Sequence, residues 1–141
     1  MKRLQRLGLV TLLALVVAMP AIADQAKILY DKGRDAEARQ NYEQAYEFFK
    51  QAFDLKPKDL AYRTSYERTK FLAAASHVHR GQLLRDAGKL DEALKEFEGA
   101  IAIDPSSFIA QQEANKVRRA LQQAANLLFH FRLHFAWERR F

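Results

Sequence analysis

The chain has 141 residues, with 23 Lys and Arg against 17 Asp and Glu, four His and no Cys. The lack of cysteine excludes disulfides, thiol chemistry and lipid attachment through an N-terminal cysteine. The net charge of +6 divides unevenly: residues 1–23 carry +3, residues 24–115 carry −2 and residues 116–141 carry +5. The middle therefore has the mixed charges of solvated helices and no basic stripe, which excludes nucleic acid as a partner.

At the N-terminus, Lys2, Arg3 and Arg6 precede an apolar run of 13 residues, Leu7 to Met19. That run is too short to span a bilayer comfortably. Pro20 ends it, and Ala21-Ile22-Ala23 is a small-x-small cleavage site. Residues 1–23 read as a secretory signal peptide cleaved after Ala23, so the chain is expected to be exported to the periplasm or cell envelope. The 118 residues from Asp24 onward suffice for one small domain held by packing alone.

Five residues then recur in the same frame. Gly33, Ala45, Phe49, Ala52 and Pro57 return 48 positions later as Gly81, Ala93, Phe97, Ala100 and Pro105, with internal spacings of 12, 4, 3 and 5 in both copies. Each Gly falls inside a helical pattern, where it costs about 1 kcal/mol relative to Ala. Two such losses at equivalent positions imply that the first helix of each pair must let the second come close. The Ala and Phe residues make one stripe on that second helix. The Pro stops it.

This frame resembles the tetratricopeptide repeat, whose small–aromatic–small–Pro signature marks a helix-turn-helix unit. The resemblance covers residues 26–59 and 74–107. Leu29 and His77 stand where the family often has Trp, and Leu90 replaces the aromatic that Tyr42 keeps. It implies an all-α fold, a short solenoid with units at 24–59 and 60–107. The usual period is 34, so 14 residues, Leu60 to Ala73, are additional. They contain no Gly or Pro, and Asp59 can cap them. Leu60 to Ala87 is predicted as one overlong helix that projects from the repeats. Tyr62, Tyr66 and Phe71 on it would need cover from another chain or domain, which makes them self-association candidates.

After Pro105, Ser106 or Ser107 can cap a further helix over 108–128, with Ile109, Ala110, Ala114, Val117, Leu121 and Ala124 on one stripe. Asn115 stands where a third repeat would need a small residue, so this helix reads as a terminal cap. From Phe129 the pattern changes to period 2: Phe129, Phe131, Leu133, Phe135 and Trp137 alternate with mostly polar residues. No partner strand exists in the chain, so 129–141 is expected to be a disordered tail or a truncated remnant, or to add to another protein's sheet.

Catalytic chemistry is not in evidence. His77 and His79 point to nearly opposite sides of a helix. His130 and His134 would suit a metal only in a helical tail with a third ligand. Asp91, Glu92, Glu96 and Glu98 lie at the start and exposed face of a helix, where acids favour the dipole end. There is no phosphate loop or nucleotide fingerprint. No enzyme activity, cofactor or metal is expected.

The repeat resemblance further implies a concave binding face formed by the first helices. Its positions are Lys27, Tyr30, Arg34 and Glu37 in the first unit and Val78, Gln82, Arg85 and Asp86 in the second. Arg34 and Arg85 with Tyr30 could hold an extended peptide bearing acidic groups. The family's carboxylate-clamp version has Lys and Asn at its fifth and ninth positions. Here those are Tyr30 and Arg34, then Val78 and Gln82, so chaperone C-termini are not implied. Repeats after a signal peptide, with the stretch LAYRTSYERTKFLAAASHVHRGQLLRDAGKLDEAL, are similar to the N-terminal segment of bacterial type II secretion and type IV pilus secretins. The function expected is a non-catalytic protein-interaction scaffold docking within a secretion or pilus assembly. The alternative is a free-standing, self-associating structural protein of the cell envelope.

Overall fold

The computed structural model describes residues 25–138; the segment read as a signal peptide lies outside the described residues. These contain five helices and no strand: α1 over residues 25–38, α2 over Tyr42–Leu55, α3 over Leu60–Asp86, α4 over Leu90–Ile103 and α5 over Phe108–Glu138. The all-α helix-turn-helix architecture is the one expected, including the overlong helix, since α3 runs 27 residues without a break. The Asp59 carboxylate starts it by accepting from the Ala61 and Tyr62 amides at 2.9 and 3.2 Å. The chain divides into two compact units, residues 1–72 and 73–141, with the boundary inside α3.

The two units are built alike. In the first, Phe49 of α2 is fully buried against Gly33 of α1, where an added Cβ would lie 2.7 Å from the ring. In the second, Phe97 of α4 meets Gly81 of α3 at 2.6 Å by the same measure. At each of these two glycines an aromatic ring rests directly on helix backbone. Ala45, Ala52, Ala93 and Ala100 are also fully buried. Pro57 and Pro105 stand exposed just beyond α2 and α4.

The turns repeat as well. The Asn41 amide donates to the Ala36 carbonyl at 3.0 Å and Gln40 to Glu37 at 2.8 Å; 48 residues on, Lys89 donates to Leu84 and Gly88 to Arg85, both at 2.9 Å. This paired closure requires a left-handed residue just past the helix. Gly88 supplies it at φ 76°, and Gln40 adopts it at φ 59°. The left-handed conformation costs a residue with a Cβ roughly 1–2 kcal/mol.

Two sequence expectations need correction. The first concerns the 14 additional residues, which do not project. The leading half of α3 is the third helix of the first unit. Tyr62 is buried, with its ring 4.8 Å from that of Tyr30. Tyr66 stacks on Phe53 at 5.4 Å and on Tyr46 at 5.7 Å. Ser65 donates to the Tyr30 hydroxyl at 3.3 Å, and Arg68 donates to Glu37 at 2.7 Å. Tyr62 and Tyr66 are thus covered by their own chain, and of the three self-association candidates Phe71 alone is exposed, at 67%. The second correction concerns the end of the chain. The helix expected over 108–128 continues through Glu138, so residues 129–138 are helical and not a strand, and residues 139–141 lie outside the described residues. From Phe108 onward there is no Gly or Pro. Each residue added to an existing helix gains a hydrogen bond, whereas a lone strand gains none.

Candidate docking surfaces

On α1 the four expected binding residues separate into two pairs. Lys27 is exposed and bridges to Asp31 at 2.9 Å on the same helix. Arg34 is exposed. Tyr30 packs between Phe49 and Tyr62, and Glu37 holds Arg68, so both are occupied by α2 and α3. The face that the repeat resemblance left open is therefore partly filled by the leading half of α3.

In the second unit, Val78 packs against the apolar clusters that α4 and α5 share with α3. Gln82 is half-buried, and Asp86 is exposed. Arg85 is engaged twice: it donates to Asp86 at 2.9 and 3.0 Å and to Glu113 of α5. Lys116 donates to the other oxygen of Glu113 at 2.8 Å. The hydrogen bond from Lys116, reinforced by Arg85, holds the Glu113 carboxyl below the usual carboxylate range despite its burial. The bond to Asp86, with Glu113 adding to it, raises Arg85 above its ordinary value. Arg85 could clamp a ligand carboxylate only by giving up these partners, which argues against the peptide-holding role expected for it.

Three acids of α4, Glu92, Glu96 and Glu98, serve separate ion pairs. Glu96 lies 2.8 Å from Nδ1 of His77 and accepts from Nε of Arg80 at 3.0 Å. Glu98 accepts from Arg118 at 2.8 Å, and Glu92 pairs with Lys89 at 3.5 Å. The His77 ring covers Gly99, where an added Cβ would lie 3.0 Å from it. Sequence reading missed this cluster. Its detectable signal is Gly99 itself, a third glycine inside a helical stripe.

An open depression of about 400 Å³ lies along the start of α2, lined by Asn41, Glu43, Gln44, Glu47 and Phe48. It combines two carboxylates on one helix face with a half-buried ring. Asn41 caps this helix by accepting from the Gln44 amide at 3.2 Å. No group of three His, Cys, Asp or Glu suited to a metal is found among the described residues. No described helix is long and apolar enough to cross a membrane.

A repeated helix pair locked by Gly and Phe defines a tetratricopeptide repeat protein, and the family model described as tetratricopeptide repeat matches residues 74–107. This fold is a non-catalytic scaffold for protein–protein interaction. A second model, described as the plant specific mitochondrial import receptor subunit TOM20, matches residues 18–88, just over half of the chain, and the chain belongs to that family. No curated relative matches the sequence. Among solved structures, the chain is similar to the first tetratricopeptide domain of Spaghetti (RPAP3) bound to an HSP90 peptide. The identity is 24%, covering 70% of this chain and 94% of that one, with a TM-score of 0.33. The first such domain of human RPAP3 gives 21% identity, 72% and 96% coverage and a TM-score of 0.36. The Arabidopsis OM64 domain gives 14%, 70%, 98% and 0.33. Nothing about function rests on these three likenesses.

The family match overturns the expected localisation. It begins at residue 18, ahead of the expected cleavage site after Ala23, and its family is a mitochondrial one. Export to the periplasm or cell envelope is therefore withdrawn. The signal-peptide reading and the resemblance to secretins find no support in either family match.

Proposed function

We propose that this chain is a docking subunit of the import-receptor kind, receiving polypeptide segments at the mitochondrial surface without catalysing a reaction. The observation that carries the proposal is the family match over residues 18–88, which takes in α1, α2 and α3. Segments addressed to mitochondria are amphipathic, rich in Arg and poor in acids. The depression on α2 suits such a ligand, because Glu43 and Glu47 offer carboxylates to its cations and Phe48 offers an apolar surface. Arg34 in the first unit and, separately, Gln82 in the second are further candidates for polar contacts with a docked chain.

Competition for import tests this. Purified chain added to isolated mitochondria should lower uptake of a precursor carrying such a segment, and the double variant Glu43→Lys, Glu47→Lys should lose that effect. Unchanged uptake at saturating chain would overturn the proposal, as would equal inhibition of a precursor lacking the segment.

A further inference from the structure

Within the first unit, Lys32 of α1 places its Nζ 5.9 Å from the centroid of the Phe48 ring on α2. Lys32 is exposed, and among the described residues it enters no ion pair. The partner of this cation is therefore a ring and not a carboxylate. Phe48 is half-buried and packs against the cluster of Ala36, Ala45 and Phe49, which holds the ring in place. The same ring lines the depression on α2, together with Glu43 and Glu47. Asn41 and Gln44, the other lining side chains, are engaged with each other: Asn41 Nδ2 donates to Gln44 Oε1 at 3.3 Å. Glu47 is exposed and enters no ion pair among the described residues. A ligand in the depression thus meets a fixed ring that already seats a cation, and a carboxylate on the same helix.

We infer that Phe48 is the arginine-selecting residue of this depression and that Lys32 is its internal competitor, giving up the ring to a ligand guanidinium. The inference rests on the import-receptor reading and adds which side chain of the docked segment is recognised. The negative face of an aromatic ring attracts any cation. A guanidinium gains more there than an ammonium, because it is planar, stacks flat and is more weakly hydrated. A ligand lysine would exchange one ammonium on the ring for another and gain nothing. A ligand arginine gains the difference, and its remaining N–H groups can donate to Glu47. Lys32 hangs on a flexible, exposed stem, so it leaves without disturbing the packing beneath Phe48. The segments addressed to mitochondria are rich in Arg, which is the cation this arrangement favours.

The test is fluorescence anisotropy with the full chain and two labelled amphipathic peptides. They differ only in carrying Arg or Lys at every cationic position. The Arg peptide should bind about two- to fivefold tighter. Phe48→Leu, which keeps an apolar side chain and removes the ring, should equalise the two. Lys32→Ala, a change at an exposed position, should tighten the Arg peptide by about twofold or more. That gain should shrink in the Phe48→Leu background. Equal affinity of the parent chain for the two peptides would overturn the inference. So would a Lys32→Ala gain of the same size with and without the Phe48 ring, since that is the effect of removing a charge alone. If both peptides bind alike and Glu43→Lys, Glu47→Lys abolishes both, the inference falls and the import-receptor reading stands. If neither peptide binds, both fall.

Discussion

Replacing Gly81 by Ala tests the packing logic of the repeat at its tightest point. The added methyl would sit 2.6 Å from Cε1 and 2.9 Å from Cδ1 and Cζ of Phe97. Carbon atoms normally approach no closer than about 3.5 Å, so ring or helix must shift by roughly 1 Å. Phe97 is fully buried among Ala93, Ala114 and Val117 and has little room to move. Overpacking of this kind costs about 1–3 kcal/mol. Against it stands the helix-propensity gain of Ala over Gly, roughly 1 kcal/mol. Three ring atoms inside 3 Å put the clash at the upper end, which leaves a net loss of about 1–2 kcal/mol. Thermal unfolding should show the midpoint falling by roughly 4–8 °C. Adding Phe97→Leu should recover part of the loss, giving a positive coupling in the double-mutant cycle. A Gly81→Ala protein as stable as the parent, or more so, would refute the reasoning.

Three further outcomes are expected. Gln40→Gly should stabilise the chain by about 0.5–1 kcal/mol in urea unfolding, because Gly takes the left-handed turn at no steric cost; a loss would contradict the strain assigned to Gln40. Glu113 has a folded-state pKa below its usual value of 4.5, so its contribution is present above that pH and is lost as the pH falls through the folded value. Glu113→Gln should therefore destabilise at neutral pH, with the difference closing as the pH falls below 4.5 through the lowered folded-state value. Tyr66→Ala should cost about 2 kcal/mol in unfolding and leave the sedimentation coefficient unchanged, because the ring packs on Tyr46 and Phe53 of its own chain.

The repeat frame was legible because Gly, Phe and Pro act locally. Gly33 and Gly81 announce a close approach, and the Pro residues announce helix ends. The length of α3 was legible from its missing breakers. What the inserted turns do was not, because their role is tertiary. Tyr62, Ser65, Tyr66 and Thr69 are covered by α1 and α2, and only their 3- and 4-residue spacing hinted at a seam. The turn at Gln40 was hidden because Gln lacks the mark that Gly88 gives to the equivalent turn. The end of the chain misled because Phe129 to Trp137 alternate as a strand would, while the helix arriving from Leu121 propagates through them. The ion pairs of Arg85 and Glu96 join residues 28 and 19 positions from their partners Glu113 and His77, beyond the reach of any local pattern.

The central claim is that this scaffold receives segments of the kind addressed to mitochondria. Fluorescence anisotropy of a labelled basic amphipathic targeting peptide, titrated with the full chain, measures it most directly. Saturable binding that weakens with salt and with Glu43→Lys, Glu47→Lys is expected. Equal binding of a scrambled peptide of the same charge, or no saturable binding at all, would contradict it.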